Sequence, residues 1–401
     1  MKRLLIVDDE PDVLASLRRA LKEAPTDWET VFARSGLVAL EEMAKAPFDL
    51  LICDLMMPGI NGEELLAIAR KKYSQMIRVV LTNPSDREAV LRLAGPAHQN
   101  LPKTCDAKVL CDTVERAFAL NDLIANENLK SVVTQIQSLP SMPSLYVDML
   151  RELRQPEPSI VKLGHIISQD MGMCTKMLQL VNSAFFGLSQ QISNPVEAIV
   201  YLGVDLVKNI VVSLQLFSVF DGVSVRNFSF ERLWNHSWLT GVLAKRIAQG
   251  ENLGPQADHA FISGLLHDVG KLVLATGLPT QYQAIVDFHQ LHAKSLAQSE
   301  QEFLGSTHAE VGAYLLGLWG LPPNVVEAVA FHHRPGDAPR QGFSLVTVLH
   351  AANALEHERG TALDGVPRSQ VDLDYLADLG LKDRLDVWRE YIAPCPVEQA
   401  V

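Results

Sequence analysis

The first quarter of the chain alternates short apolar runs with helical periodicity, and that alternation restricts its fold more than any other feature. Leu4-Leu5-Ile6-Val7, Phe48-Asp49-Leu50-Leu51-Ile52-Cys53 and Ile77-Arg78-Val79-Val80-Leu81 read as buried strands. Between the first two, Val13, Leu14, Leu17 and Leu21 fall on one helical stripe. Strands alternating with helices predict an α/β unit with a parallel sheet. Polar residues stand where these strands end: Asp8 and Asp9 after the first, Asp54 after the second, Thr82 after the third, and Lys103 further on. In an open parallel sheet the carboxyl ends of the strands collect on one rim, where ligands bind. Three carboxylates there repel one another unless a divalent cation sits among them, and hard oxygen ligands suit Mg²⁺. A lysine and a hydroxyl beside them would meet an incoming phosphoryl group, the setting for a carboxylate nucleophile that takes phosphate from a donor. Taken singly, each acid could equally be a solvated loop residue or a helix cap; Asp9 or Asp12 could cap the helix that begins at Pro11.

Two stretches, Ile6-Val7-Asp8-Asp9-Glu10-Pro11 and Asp54-Leu55-Met56-Met57-Pro58-Gly59-Ile60-Asn61-Gly62, make residues 1–120 resemble the receiver domain of two-component response regulators. The resemblance implies a doubly wound five-stranded parallel sheet with Asp54 as phosphoacceptor. It also implies Mg²⁺ held by Asp8, Asp9, Asp54 and the Met56 backbone carbonyl, Thr82 as the switch hydroxyl and Lys103 as its cationic partner. Two positions depart from the family pattern. Thr104 follows the lysine where proline is usual, and Asn100 stands where an aromatic switch is usual. The helix from about Asp106 is therefore expected to carry more of the signal. It should run on to about Leu129, through a connector at 121–131, as one rigid rod.

At 401 residues the chain is long enough for two or three domains. Hydrophobic content of 48% supplies full cores, and a net charge of −12 opposes nonspecific attraction to nucleic acid or anionic lipid. With no basic run or recognition helix, neither DNA nor membrane is an expected partner. Cys53, Cys105, Cys111, Cys174 and Cys395 are scattered, as reduced thiols would be in a cytoplasmic protein, and the start of the chain lacks signal-peptide organisation. The apolar stretch from Ala198 to Phe220 is interrupted by Asp205, Lys208, Asn209 and Gln215, which suits buried helices and not a membrane span.

From about Val132 strand alternation stops and helical periodicity, punctuated by prolines, continues to the end. An all-α domain is expected over 132–345, with a mainly helical extension over 346–401. It carries His267-Asp268 in an apolar, helical-looking segment, His236, His308 at a helix start, and His332-His333 at a helix end. Imidazoles gathered around one carboxylate suit Mn, Fe or Zn, although a lone histidine on an apolar helix is usually a satisfied core residue. Leu139-Pro140-Ser141-Met142-Pro143, Ile167-Ser168-Gln169-Asp170, Leu180-Val181-Asn182-Ser183-Ala184-Phe185-Phe186-Gly187, the His-Asp segment and Trp319-Gly320-Leu321-Pro322 together resemble the HDOD family, helical relatives of HD-type metal phosphohydrolases. By that resemblance His236, His267 and Asp268 match ligands of one metal, and Asp268, His308, His332 and His333 those of a second. Lys271 matches a phosphate-facing lysine. The late aspartate of active relatives falls at Asn353, a weaker ligand, and the Gly-Tyr-Pro segment of the cyclic-di-GMP-cleaving subfamily is replaced by Arg334-Pro335-Gly336-Asp337.

These readings combine into a response regulator. A sensor histidine kinase or phosphotransfer protein phosphorylates Asp54, and a noncatalytic HDOD output engages an unidentified protein partner; a homodimer is left open. The rival is a receiver-gated metal phosphohydrolase acting on a nucleotide second messenger. A carboxylate such as Glu356 taking the place of Asn353 would favour it.

Overall fold

The computed structural model describes residues 1–22, 28–82, 97–136, 139–141, 143–155, 157–182, 191–204, 207, 218–219, 225–339, 342–359 and 369–392. The N-terminal part is a five-stranded parallel sheet of β1 (Lys2–Val7), β2 (Trp28–Ala33), β3 (Leu50–Asp54), β4 (Ile77–Thr82) and β5 (Gln99–Pro102), in the order β2-β1-β3-β4-β5. Strands buried on both faces read as continuous apolar runs, which is why β1, β3 and β4 were legible. Leu4, Ile6, Leu50, Ile52, Val79 and Leu81 face one core, while Leu5, Val7, Leu51, Cys53 and Val80 face the other. Helix α1 (Pro11–Lys22) buries Leu14, Leu17 and Leu21. After α2 (Gly36–Lys45), helix α3 (Gly62–Lys72) opens on a capping box between Asn61 and Glu64.

The expected rod from Asp106 to Leu129 is instead two helices, α4 (Ala107–Asn121) and α5 (Glu127–Gln135). The Asn126 side chain accepts from the backbone N–H groups of Asn128 and Leu129, which starts a new helix where the old one would have continued. What fixes α5 is lateral. Its Thr134 carbonyl accepts from Arg78 Nη2 at 2.7 Å and His98 Nε2 at 2.9 Å, both side chains buried. The Arg78 backbone N–H donates to His98 Nδ1 at 3.0 Å, so the imidazole proton lies on Nε2, facing Thr134. Burial, with Arg78 close by, holds His98 well below the usual histidine range and keeps it neutral. A guanidinium at a helix C-terminus also meets the negative end of the helix dipole.

The rest is helical apart from a two-residue parallel bridge, Pro140–Ser141 with Ser218–Val219. The helices run α6 (Pro143–Leu153), α7 (Ile160–Ser168), α8 (Met171–Val181), α9 (Pro195–Leu202), α10 (Phe230–Gly250), α11 (Ala257–Leu266), α12 (Val269–Gly277), α13 (Pro279–His292), α14 (Leu296–Leu304), α15 (His308–Leu318), α16 (Pro323–Phe331), α17 (Leu345–Arg359), α18 (Leu373–Asp378) and α19 (Arg384–Glu390). Pro143, Pro195, Pro279 and Pro323 each stand first in a helix, where the missing N–H costs nothing. Residues 183–187 of the Asn182–Gly187 motif, and most of the apolar stretch after Leu202, lie outside the described residues. His267 and Asp268 do not lie inside one helix but at the junction of α11 and α12, with Asp268 at φ −99 and ψ 8.

Gly270 sets how near α12 comes to α15. A Cβ there would lie 1.9 Å from the His308 carbonyl oxygen and 2.9 Å from the Gly312 nitrogen. Gly270→Ala is expected to force the two backbones apart and cost about 1–3 kcal/mol, the range for overpacking a tight core. A urea melt reads this as a lower midpoint. Gly254→Ala, with nothing within 4 Å of the added carbon, is the control expected to move far less.

Candidate functional site

At the carboxyl rim of the sheet, Asp8 and Asp54 are buried and face the Lys103 ammonium, which lies 3.1 Å from Asp8 Oδ2, 3.0 Å from Asp54 Oδ2 and 2.8 Å from Glu10 Oε1. Burial raises the Asp8 carboxyl, with the Glu10 N–H and Lys103 offsetting part of the rise. Burial acts to lower Lys103, but Glu10, Asp54 and Asp8 together hold it above the usual lysine range. Beyond the Lys103 ammonium, Asp8 Oδ2 and Asp54 Oδ2 have no partner among the described residues. Oxygens of Asp8, Asp9 and Asp54 all lie within 4.8 Å of one another. This hard, anionic, under-satisfied set fits Mg²⁺.

Thr82 ends β4 with its buried hydroxyl 3.5 Å from the Leu101 carbonyl. Met56 follows β3 with its side chain 70% exposed. Asn100 is buried on β5 opposite Val80, and its Oδ1 has no partner among the described residues. No cis peptide occurs among the described residues, so the Lys103–Thr104 bond is trans. Glu10 joins the rim although sequence reading had not singled it out.

In the helical half, α10, the α11–α12 junction, α15 and the end of α16 bring all six sequence-expected side chains together. His267 donates from Nδ1 to the Gly264 carbonyl at 2.7 Å, and His332 from Nδ1 to the Val329 carbonyl at 2.7 Å. His308 donates from Nδ1 to Glu300 Oε2 at 2.5 Å. A neutral imidazole that donates outward leaves a lone pair on Nε2. The ring nitrogens converge: His333 Nε2 is 2.9 Å from His308 Nε2, and His236 Nε2 is 3.2 Å from His267 Nε2. His332 Nε2 and Asp268 Oδ1 are buried without a hydrogen-bond partner among the described residues. An acceptor-lined cavity of this kind is balanced by positive charge, and imidazole with one carboxylate fits Zn, Fe or Mn.

The titration directions agree. Burial takes His267 to about 3 and, with neighbouring imidazoles, holds His332 and His333 well below the usual range. Burial also lowers His308, but Glu300 and Asp268 reverse it and leave the group raised, which marks where positive charge is wanted. Burial would raise Asp268; His267, Lys271 and His308 instead hold it well below the carboxylate range.

The two expected metal sets are not equivalent. Lys271 does not face outward to meet phosphate; its Nζ lies 2.5 Å from Asp268 Oδ2, where charge of the first set would sit. Asn353 Oδ1 is 3.1 Å from His236 Nε2, occupying the late-aspartate position, while its amide nitrogen is 3.4 Å from the Ser369 hydroxyl. Glu356 does not replace it: its carboxylate contacts His236 Nδ1, on the other edge of the ring. Asp268 Oδ1, His308, His332 and His333 form the more complete set. Asn353, Glu356 and His357 all come from α17, so the cluster uses side chains beyond the expected boundary at 345. Glu300 and His357 were missed. Glu300 has no spacing signal in the chain, whereas His357 follows Asn353 at the i, i+4 helical step.

Comparison with known families now adds to the geometry. Residues 4–115 match the response regulator receiver domain, and residues 139–335 match the HDOD domain. The chain carries a response regulator receiver domain followed by an HDOD domain. It is 29% identical over 248 residues to an uncharacterized protein of Treponema pallidum, covering 60% of this chain and 46% of that one. It is 36% identical over 97 residues to a probable cyclic di-GMP phosphodiesterase of Vibrio cholerae, covering 23% of this chain and 21% of that one. The chain thus spans less than half the length of these curated relatives. A virulence factor of Campylobacter jejuni shares the fold, with TM-score 0.50, 18% identity, and 68% of this chain and 96% of that one covered. No single helix among the described residues is long and apolar enough to cross a membrane.

The unequal sets predict unequal metal loading in the HDOD domain. Chelator-stripped protein dialysed against Zn²⁺ or Mn²⁺ is expected to regain an ion at Asp268, His308, His332 and His333. His333→Ala should lower the ion count by one in elemental analysis. An unchanged count would remove this set as the holder.

Proposed function

We propose that this protein is a phosphorelay response regulator whose receiver accepts a phosphoryl group on Asp54 from a sensor histidine kinase or phosphotransfer protein. The observation that carries the reading is the single ammonium of Lys103 placed between Asp8 and Asp54 at the sheet rim, with the Thr82 strand end beside it. An Asp54 oxygen attacks phosphorus, the new O–P bond forms, and the bond to the donor breaks with its electron pair leaving on the donor. Lys103, already shared among carboxylates, turns to the transferred oxygens, and the Thr82 hydroxyl is placed to donate to one of them. Asp8, Asp9, Asp54 and the Met56 carbonyl would hold Mg²⁺, which neutralises charge on the transferring group.

The proposed output is noncatalytic. The HDOD domain acts by contact with a downstream protein, in the cytoplasm, because Asn353 and Lys271 occupy places that a working dinuclear centre fills with a carboxylate and a cation. One observation favours the alternative of a receiver-gated metal phosphohydrolase acting on a nucleotide second messenger: His332 Nε2, in the set with Asp268, is buried without a hydrogen-bond partner among the described residues.

Acetyl phosphate with Mg²⁺ is expected to label the wild-type protein and not Asp54→Asn; label retained in that variant would move the acceptor elsewhere. Lys103→Ala should cut labelling or its readout while the melting curve stays near that of the parent, since this rim lysine covers little of the core. The output is tested separately. Phosphodiester turnover with added Mn²⁺ or Fe²⁺ that vanishes in Asp268→Ala would establish the enzyme reading in place of the contact reading.

A further inference from the structure

We propose that His236, Glu356 and His357 form a separate metal site on the outer side of the histidine cluster, for one first-row divalent cation of the Zn²⁺ or Fe²⁺ type. This site shares only His236 with the inner sets and does not depend on receiver phosphorylation or on HDOD catalysis.

Three observations carry it. First, Asn353, Glu356 and His357 stand at i, i+3 and i+4 on α17, so all three lie on one face, and that face is turned to His236. The carboxylate absent from position 353 reappears almost one helical turn later. Second, the ligand atoms of His236, Glu356 and His357 all lie within 4.8 Å of one another, with the two imidazoles stacked at 4.4 Å between ring centres. Ligands at about 2.0–2.2 Å from a metal stand at most about 4.4 Å apart. Rotation of the Glu356 side chain, which now touches His236 Nδ1, opens that contact to coordination spacing.

Third, the two edges of His236 face different groups. Its Nε2 lies 3.1 Å from Asn353 Oδ1 and 3.2 Å from His267 Nε2, on the inner side. The inner side already has its cation, since Lys271 Nζ lies 2.5 Å from Asp268 Oδ2. At the outer edge His236 Nδ1 and the Glu356 carboxylate are in direct contact, so both are already aimed at one point. A divalent cation that replaces the shared proton of that contact, with His357 as a third ligand, leaves the inner contacts undisturbed. Two imidazoles and one carboxylate leave further coordination positions free, the arrangement associated with non-haem iron and with zinc sites open to water. Side-chain exposures of 13% for His236 and 15% for Glu356 leave a way in from solvent.

The competing account is that Glu356 only orients the His236 ring through a hydrogen bond and His357 only stacks on that ring and holds its other contacts in the fold. The full chain, stripped with chelator, is titrated with Co²⁺ and followed by visible absorption, with ion counts taken after dialysis against Zn²⁺. Glu356→Gln and His357→Ala are each expected to remove one ion and the associated Co²⁺ band. His333→Ala should remove a different ion and leave that band in place. Glu356→Gln keeps shape and hydrogen-bonding capacity; if His357→Ala fails to fold, His357→Gln supplies the second reading. A count and spectrum unchanged in Glu356→Gln and His357→Gln overturn the proposal. A lost band in those variants stands even if His333→Ala shows the inner set to be empty.

Discussion

The HDOD half is organised around a carboxylate that cannot be buried alone. Asp268 is 1% exposed, and an unpaired anion at that depth would cost several kcal/mol. Its two oxygens are divided between two environments: Oδ2 meets Lys271, and Oδ1 meets His308. Each group brought to it must be held in turn, so Glu300 fixes His308 and backbone carbonyls fix His267 and His332. The close contact at Gly270 follows from the same need, because any side chain there would move His308 away.

A second constraint ties the domains together. Arg78 and His98 grip the Thr134 carbonyl from the amino ends of β4 and β5, while Thr82 and Lys103 stand at the carboxyl ends. From Arg78 to Thr82 the strand rises about 13 Å at roughly 3.3 Å per residue. One rigid strand therefore joins the proposed phosphorylation rim to the helix that enters the HDOD domain. The Gln99 side chain donates to the Gly317 carbonyl at 3.2 Å, extending the contact to the helix that begins at His308. With α4 and α5 separated by the cap at Asn126, this lateral grip takes the place of a continuous rod.

Local chemistry explains what was legible. Asp8, Asp54 and Thr82 each follow an apolar run, and a parallel sheet puts such strand ends on one rim whatever the loops do. The six clustered side chains were legible because a histidine beside a buried-looking aspartate is a poor choice for a core unless it is used. The connector was misread because α4 periodicity continues past Asn121, and nothing in that pattern weighs a cap at Asn126 against it. Reading His267-Asp268 as helical failed similarly, since apolar content continues unbroken through a junction that only backbone angles reveal.

The sequence by itself determined the order of elements, the parallel sheet, the acidic rim and which histidines stand out, because each depends on periodicity or on residues close in the chain. Only the tertiary structure decided how the charges are shared. Lys271 turning inward, Asn353 standing at Nε2 and Glu356 at Nδ1 of His236, and Arg78 reaching Thr134 are all matters of side-chain direction across distant helices and strands. Spacing along the chain places a side chain on a face; which atom it meets is set by the packing of that face against another.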